Sequence, residues 1–335
     1  METITRLTVT GFLLRIFILF IVLLIISLIC LSIGSVNINP FQILSIIFSN
    51  EDNYLSKIIF DIRLPRILFA VLVGGGLSLA GAVFQSLLMN PLAEPYILGI
   101  SSGGTFGAII SFYLGLSFPG TQLLAFVGAL CVMFIVFILG KRFGELEPNV
   151  LLLSGIMVGS FFSALILLMM TILNDSLKTT IFWLIGNLSL ADKNNLIFVM
   201  PITIITSTIL IILSNKFNVM SLGSDYAKQL GINTNLIRNT SYILTSIMIG
   251  TLVSISGIIG FVGLLIPHIC RILFGNDNRI IFTSSFFIGA SYLVVADTIA
   301  RTIISPAELP VGAITALIGA PIFIYLLKKK FSITN

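Results

Sequence analysis

Long apolar runs separated by short polar connectors occupy the whole chain. The hydrocarbon core of a bilayer needs about 20 apolar residues per helix, and ten runs reach or approach that length. They cover residues 12–34, 64–88, 96–116, 121–140, 150–173, 194–213, 236–258, 259–274, 280–300 and 309–327. The runs lack the alternation that is typical of membrane barrel strands. We therefore predict an all-α, polytopic membrane protein with about ten transmembrane helices in one domain, residues 1–335.

The first run is too long for the apolar core of a signal peptide, which spans about 7–15 residues. Between Gly11 and Gly34 only Arg15 is charged, so we interpret this run as the first span. Composition agrees: 57% of the 335 residues are hydrophobic, 9% are charged, and the mean hydropathy is +1.14. Because a soluble domain has about 25% charged residues, no separate soluble domain is expected.

The positions of Lys and Arg predict the orientation of the chain. With both termini in the cytoplasm, twelve of the 18 Lys and Arg residues lie inside, in agreement with the positive-inside rule. The other six are Lys57, Arg63, Arg66, Lys178, Lys193 and Arg301. The net charge of +5 therefore reflects orientation, and no basic face indicates a nucleic-acid partner.

Three of the outside residues, Arg63, Arg66 and Arg301, lie at the predicted outer ends of spans. One interpretation is snorkelling to lipid headgroups, or pairing with Asp61 and Asp297. Asp297 and Arg301 are four residues apart, which suits an ion pair on one helix. The other interpretation is a functional contact outside the membrane, and the residues alone leave both open.

The longest polar stretch on the inside covers residues 214–235. Within it we predict a short helix over 225–230, with Gly231 just past its end. Such a helix is well placed to contact a cytosolic partner; a solvated connector is the alternative.

Two junctions are rich in proline and glycine, at residues 90–95 and 260–268. Broken helices are tolerated in membranes where they line a cavity or are buried in protein. These junctions are therefore candidate elements of a pathway or gate, with plain helix termination as the alternative.

Signals for catalysis are weak. No segment matches the phosphate loop GxxxxGK[ST], so we expect no ATP hydrolysis by this chain. Residues 99–103 match GxSxG around Ser101, and His268 is the sole histidine, but a chance match in a Gly- and Ser-rich segment is the stronger interpretation. Acids lie near span ends, which argues against a carrier driven by an ion gradient. The three cysteines lack metal-ligand spacing, so neither a metal nor a cofactor is expected.

Several motifs occur in one order along nearly the whole chain. They are RLPR at 63–66, GAVFQ at 81–85, NPLAEP at 90–95, LGISSG at 98–103, DYAKQLG at 225–231, GFVGLLIPHICR at 260–271, ADTIAR at 296–301, ELPVG at 308–312 and GAP at 319–321. In this combination the chain resembles the permeases of type II ABC importers, the family that imports iron–siderophore complexes, haem and cobalamin.

The resemblance implies a ten-helix fold like that of the cobalamin permease, working as a dimer of two permease copies in a prokaryotic cell membrane. It implies two cytosolic ATPase subunits, which use ATP and Mg, and a substrate-binding protein outside. The permease itself would perform no covalent chemistry. Its substrate would be an iron chelate (a siderophore complex or haem) or cobalamin, and we favour an iron chelate.

The resemblance also implies roles for single residues. The residues that would dock the binding protein are Arg63, Arg66 and Arg301. Those that would couple to the ATPase, in the connector 214–235, are Asp225, Tyr226, Ala227, Gln229, Leu230 and Gly231. Those of the cytoplasmic gate are Asn90, Leu92, Pro148 and Asn149. Pro148 departs from the hydroxyl-bearing residue expected there.

Overall fold

The computed structural model describes residues 9–34, 36, 38–48, 54–172, 177–189, 193–304 and 307–333. The helices are α1 (Val9–Ser32), α2 (Pro40–Phe48), α3 (Tyr54–Lys57), α4 (Leu64–Leu87), α5 (Ile100–Tyr113), α6 (Phe118–Leu139), α7 (Pro148–Ile172), α8 (Leu177–Leu184), α9 (Lys193–Met220), α10 (Ser224–Gln229), α11 (Thr234–Ser256), α12 (Val262–Phe274), α13 (Asn278–Thr302) and α14 (Val311–Ile333). A π-helical turn, Ile58–Arg63, joins α3 to α4. Strands β1 (Lys141–Arg142) and β2 (Glu145–Leu146) pair antiparallel.

Each of the ten predicted spans contains one long helix, so the all-α prediction is confirmed. Eight described helical runs are long and apolar enough to cross a membrane. The other two predicted spans hold α5 and α12, with 14 and 13 residues. The boundaries differ most at two places: the helical run that contains α4 starts ten residues earlier, at Tyr54, and α9 continues to Met220. Residues 214–220 of the predicted polar connector are therefore helical, and the connector proper covers residues 221–233.

Helix α4 is the central element of the bundle. In the most apolar stretch of the run that contains α4, 89% of the residues are buried, whereas 6% are buried in the corresponding stretch of α1. It packs against α9, α11, α12 and α13. A Cβ atom at Gly81 would overlap the backbone carbonyl of Gly263 on α12, and one at Gly74 would overlap that of Gly289 on α13. Helix backbones approach closely at such small residues, as membrane helix packing requires.

The helical structure is interrupted between α11 and α12, at residues 257–261. Gly257 and Phe261 both have positive φ, of 66° and 67°. The loop after α4 holds this break in place: the Glu94 carboxylate accepts a hydrogen bond from the Phe261 N–H at 3.0 Å. The Tyr96 hydroxyl accepts from the Ile259 N–H at 3.1 Å and donates to the Ile259 carbonyl at 3.2 Å. The prediction of an interruption at 260–268 was therefore wrong in its bounds: the break covers residues 257–261, and residues 262–268 are helical in α12, with Pro267 inside the helix.

Candidate functional site

Charged residues concentrate at the two ends of the bundle. The arginine end holds the C-terminal ends of α1 and α13 and the N-terminal end of α4, with Arg63, Arg66 and Arg301 together. The opposite end holds α10 and the hairpin β1–β2, and we call it the α10 end. Helix α1 ends at the arginine end and α14 starts there, so both described chain termini point toward the α10 end.

Arg66 is the centre of an ion-pair network at the arginine end. Its Nε and Nη2 donate to Asp297 at 3.0–3.1 Å, and its Nη1 donates to Glu308 at 2.9 and 3.0 Å. The Asp297 side chain is 2% exposed and that of Arg66 is 11% exposed. Arg301 Nε lies 3.9 Å from Asp297, which leaves Arg66 as the main partner of this carboxylate.

The other two arginines satisfy carbonyl oxygens near the end of α1. Arg63 Nη1 donates to the Leu31 carbonyl at 2.7 Å, and its Nη2 donates to the Val36 carbonyl. Arg301 Nη2 donates to the Cys30 carbonyl at 2.7 Å. Arginine is well suited to this position because the last carbonyls of a helix have no partner within the helix.

The structure brings the three predicted docking arginines together but leaves little of them exposed. Arg63 is buried, and the side chains of Arg66 and Arg301 are 11% and 9% exposed. The pairing interpretation holds for Asp297, whereas Asp61 pairs with Lys193 instead. The docking role stays a prediction, and it requires a partner to reach Arg66 past Glu308.

Helix α10 is a short helix of six residues with a capped C-terminus. Its C-terminus forms a Schellman motif, in which Ile232 N–H donates to the Ala227 carbonyl and Gly231 N–H donates to the Lys228 carbonyl. Gly231 has a φ of 79°, which its lack of a Cβ permits. The sequence prediction of this helix and its glycine cap is confirmed.

The predicted coupling residues form one exposed surface on α10. Tyr226 and Leu230 are each 67% exposed, and Asp225, Gln229 and Gly231 are exposed as well. Only Ala227 is buried, and it anchors the helix to the bundle. Large apolar side chains exposed beside polar groups are typical of a protein interaction site.

Side-chain contacts fix α10 to its neighbours. Lys228 Nζ donates to Glu145 of β2 at 3.0 Å, and this hydrogen bond lowers the pKa of Glu145. Arg238 of α11 donates to Ser224 Oγ at 2.7 Å and to the Leu146 carbonyl at 3.3 Å. The short helix is therefore connected to both the hairpin and α11.

The hairpin β1–β2 was not predicted from the sequence. Its two turn residues, Phe143 and Gly144, have φ of 51° and 83°, and the Phe143 side chain is 94% exposed. Positive φ at both positions matches the tight turns that join antiparallel strands. The available signal was the Phe-Gly pair between charged residues, but strands of two residues are too short for a hydropathy pattern.

The predicted gate residues also lie at the α10 end. Asn90 Oδ1 accepts a hydrogen bond from the Leu92 N–H at 2.9 Å, which forms a turn after α4. The Leu92 side chain is 51% exposed. Pro148 is the first residue of α7, a position that proline favours because its missing N–H is not needed there. Asn149 is exposed beside it.

Helix packing accounts for the GxSxG match. A Cβ atom at Gly103 would approach the Gly128 carbonyl of α6 at 2.5 Å, and Ser101 is buried within α5. His268 is buried on α12, with its ring 5.8 Å from that of Phe323. Gly103, Ser101 and His268 are therefore part of the packed interior of the bundle.

A groove of about 490 Å³ runs between α5 and α7. Small residues form its walls, including Gly99, Gly155 and Gly159. Ser102 and Ser163 face each other across it, with 3.5 Å between their hydroxyl oxygens. The two hydroxyls are therefore within hydrogen-bond distance of each other on a surface of small residues.

A bundle of long apolar helices around a buried central helix defines a polytopic membrane protein. The profile of the FecCD transport family matches residues 19–329. The chain belongs to the FecCD transport family, which confirms the resemblance drawn from the sequence motifs.

Known relatives and a solved structure extend this result. An uncharacterized ABC transporter permease of Bacillus subtilis is 40% identical over 84% of this chain and 81% of its own length. The permease of a molybdate import system of Haemophilus influenzae is 34% identical over 89% and 91%. A solved ABC transporter in an inward-facing conformation, assigned to the metal-chelate type, is 34% identical, with a TM-score of 0.85 over 94% of this chain and 99% of that chain.

Proposed function

We propose that this permease is the transmembrane subunit of a binding-protein-dependent importer of a metal chelate, with an iron chelate as the favoured substrate. The observation that carries the proposal is α10, a capped helix that presents Tyr226 and Leu230 beyond the bundle. A rigid exposed helix tied to α11 by Arg238 can pass the motion of a bound subunit to the spans.

In this proposal α10 faces the cytosol and binds one of two separate ATPase subunits, which supply the energy from ATP and Mg. Both chain termini are then cytoplasmic, since they point to the same end as α10. A substrate-binding protein docks at the arginine end, and two permease copies enclose a pathway that includes the groove between α5 and α7. The lipid-facing and partner-facing surfaces would be the apolar exposed faces of helices such as α1 and α7.

The substrate is the least constrained part of the proposal. The molybdate permease and the metal-chelate-type transporter have the same 34% identity to this chain, so identity alone does not separate these substrates. Selectivity would reside mainly in the binding protein, because a pathway that binds its solute tightly would retain it.

Reconstitution tests the proposal directly. The chain is placed in proteoliposomes alone, or with the ATPase and binding protein encoded by neighbouring genes, and offered radiolabelled ferric hydroxamate, haemin, cobalamin or molybdate. We expect uptake that requires ATP and both partners, with an iron chelate preferred. Accumulation by the chain alone under an ion gradient would instead establish a secondary transporter. Preference for molybdate would support the importer mechanism but would contradict the proposal that the substrate is an iron chelate.

A further inference from the structure

A cavity of about 410 Å³ opens at the α10 end, between the ends of α4, α9, α11 and α12. Its walls carry two guanidinium groups, Arg238 and Arg271, together with the polar side chains of Gln85, Ser86, Asn90 and Asn278. No carboxylate lines this cavity among the residues that the structure describes. The lining therefore carries net positive charge, although Glu145, which lies outside the lining, partly offsets the charge of Arg238.

Arg271 is the less satisfied of the two cations. Its recorded hydrogen bond in the described chain is a long one, from Nη2 to Ser86 Oγ at 3.4 Å. Its Nε is buried and has no hydrogen-bond partner among the residues that the structure describes. The ion pairs found among the described residues do not include Arg271. Arg271 is half-buried, so its charge is open to an anion that enters the cavity.

Arg238 is the second cation at the cavity, and it is only 7% exposed. Its two terminal nitrogens bond to Ser224 and Leu146, and Glu145 interacts with it electrostatically. Its Nε has no hydrogen-bond partner among the residues that the structure describes. Buried polar atoms in native proteins nearly always have partners, and an occupant with acceptor oxygens would meet the N–H groups that the described residues leave unpartnered at Arg238 and Arg271.

We propose that this cavity binds a phosphate-class oxyanion, with Arg271 as its main charge partner and Arg238 as the second. Guanidinium groups bind phosphate oxygens through two parallel N–H donors. The oxyanion is either free inorganic phosphate or the phosphate of an anionic lipid, since basic pockets between membrane helices bind such headgroups. The inference does not depend on the transported substrate.

Purified permease in nanodiscs tests the site without partner subunits. One arm titrates inorganic phosphate against chloride at equal ionic strength in phosphatidylcholine; the other replaces phosphatidylcholine with phosphatidylglycerol in the absence of phosphate. We expect a saturable rise of the thermal unfolding midpoint in at least one arm, and the responding arm identifies the source of the phosphate group. No saturable rise in either arm would overturn the proposal.

Variants assign the response to the cavity. Arg271→Gln should weaken the apparent affinity on the order of tenfold or more, because it removes a full charge, whereas Arg271→Lys should retain part of it. Arg279→Gln is the matched control, since Arg279 lies at the same end but already pairs with Asp277. An equal response in wild type and Arg271→Gln would refute the assignment.

A second variant keeps the test decisive if Arg271→Gln does not fold. Ser86→Asp places a carboxylate beside Arg271, so the permease should no longer respond to phosphate or to phosphatidylglycerol. A wild-type response in Ser86→Asp would count against the site. Loss of the phosphate response on adding ATPase subunits, together with weaker ATPase binding by Arg271→Gln, would reassign the cavity to a protein carboxylate and overturn the proposal.

Discussion

Arg66 and Asp297 form a forked ion pair between α4 and α13, although they are 231 residues apart in the chain. Both side chains are largely buried, so removal of the carboxylate leaves the positive charges of Arg66 and Arg301 with less negative charge to balance them. We expect Asp297→Asn to lower the free energy of unfolding by about 3–5 kcal/mol. Unfolding of the purified permease in a denaturing detergent measures this.

Asp61→Asn is the control for that prediction. Asp61 pairs with Lys193 at the same end, but both side chains are more than half exposed, and exposed pairs contribute about 0–1 kcal/mol. Equal losses in the two variants would show that burial of the Arg66 pair has no special effect.

Glu308 is predicted to compete with the binding protein for Arg66. Its carboxylate is 40% exposed and occupies Arg66 Nη1. If an acidic side chain of the binding protein docks on Arg66, Glu308→Gln should strengthen docking several-fold, and Arg66→Gln should weaken it. Both effects should be larger at low salt, where charges are less screened.

Association of the purified permease and binding protein, measured across a range of salt concentrations, checks this prediction. Charge reversal at Arg63 should also weaken docking. If neither Glu308→Gln nor Arg66→Gln changes the affinity, then the arginine network is purely structural.

Tyr226→Ala on α10 is expected to uncouple ATP hydrolysis from uptake in the assembled transporter. The side chain is 67% exposed, so its removal should leave the fold intact while it removes an apolar contact with the ATPase. Tyr54→Ala is the matched control, because Tyr54 is 76% exposed and lies in α3, on the arginine side of the bundle and away from α10. Uptake and ATPase activity are measured together; normal coupling in the Tyr226 variant would reject the role of α10.

Asp277 is predicted to make the stability of α13 depend on pH. Burial opposes its ionisation, but hydrogen bonds from Arg279 and Asn218 outweigh burial and lower the pKa of Asp277. A carboxylate with a lowered folded-state pKa stabilises the protein above its unfolded-state pKa of about 3.9. That contribution is lost as the pH falls through the folded-state pKa.

Asp277→Ala should cost about 1 kcal/mol at neutral pH, because the side chain also caps α13. The difference from wild type should shrink below about pH 4. Asp277→Asn keeps the capping oxygen and lacks the titrating group, so its stability should change less across this pH range. A constant difference between wild type and Asp277→Asn would contradict the prediction.

Gly81 and Gly104 offer a paired test of helix packing. A Cβ at Gly81 would overlap the Gly263 carbonyl, whereas the nearest atoms to a Cβ at Gly104 would lie 3.4 Å away. Gly81→Ala should therefore destabilise the permease by about 1–3 kcal/mol or more. Gly104→Ala should be close to neutral, because alanine favours the helix. Similar thermal midpoints for the two variants would contradict this account.

The sequence was most informative where a signal is local. Leu64–Leu87 and the Gly231 cap of α10 were predicted to within about one residue, since apolar length and turn chemistry act over neighbouring positions. Helices α2 and α8, with nine and eight residues, are too short to register as spans, and they were missed.

The contacts of the candidate site were harder to predict. The partners of Arg66 lie on α13 and before α14, and no local pattern indicates that Asp297 would bind Arg66 more closely than its helical neighbour Arg301. The exposure of a charged residue likewise depends on distant packing. The buried state of Arg63, which reaches the carbonyls at the end of α1, is therefore information that only the structure supplies.

The helical run from Tyr54 to Leu87 is continuous for 34 residues, or about 50 Å at a rise of about 1.5 Å per residue. This helical run is longer than the thickness of the hydrocarbon layer, which is about 30 Å. Within this run Arg66 lies about 18 Å from the Tyr54 end and Ser86 lies at the other end, with the close contacts of Gly74 and Gly81 between them. If this run tilts as one body about those contacts, its two ends move in opposite directions, and a displacement at the arginine end reaches the α10 end through a single helix.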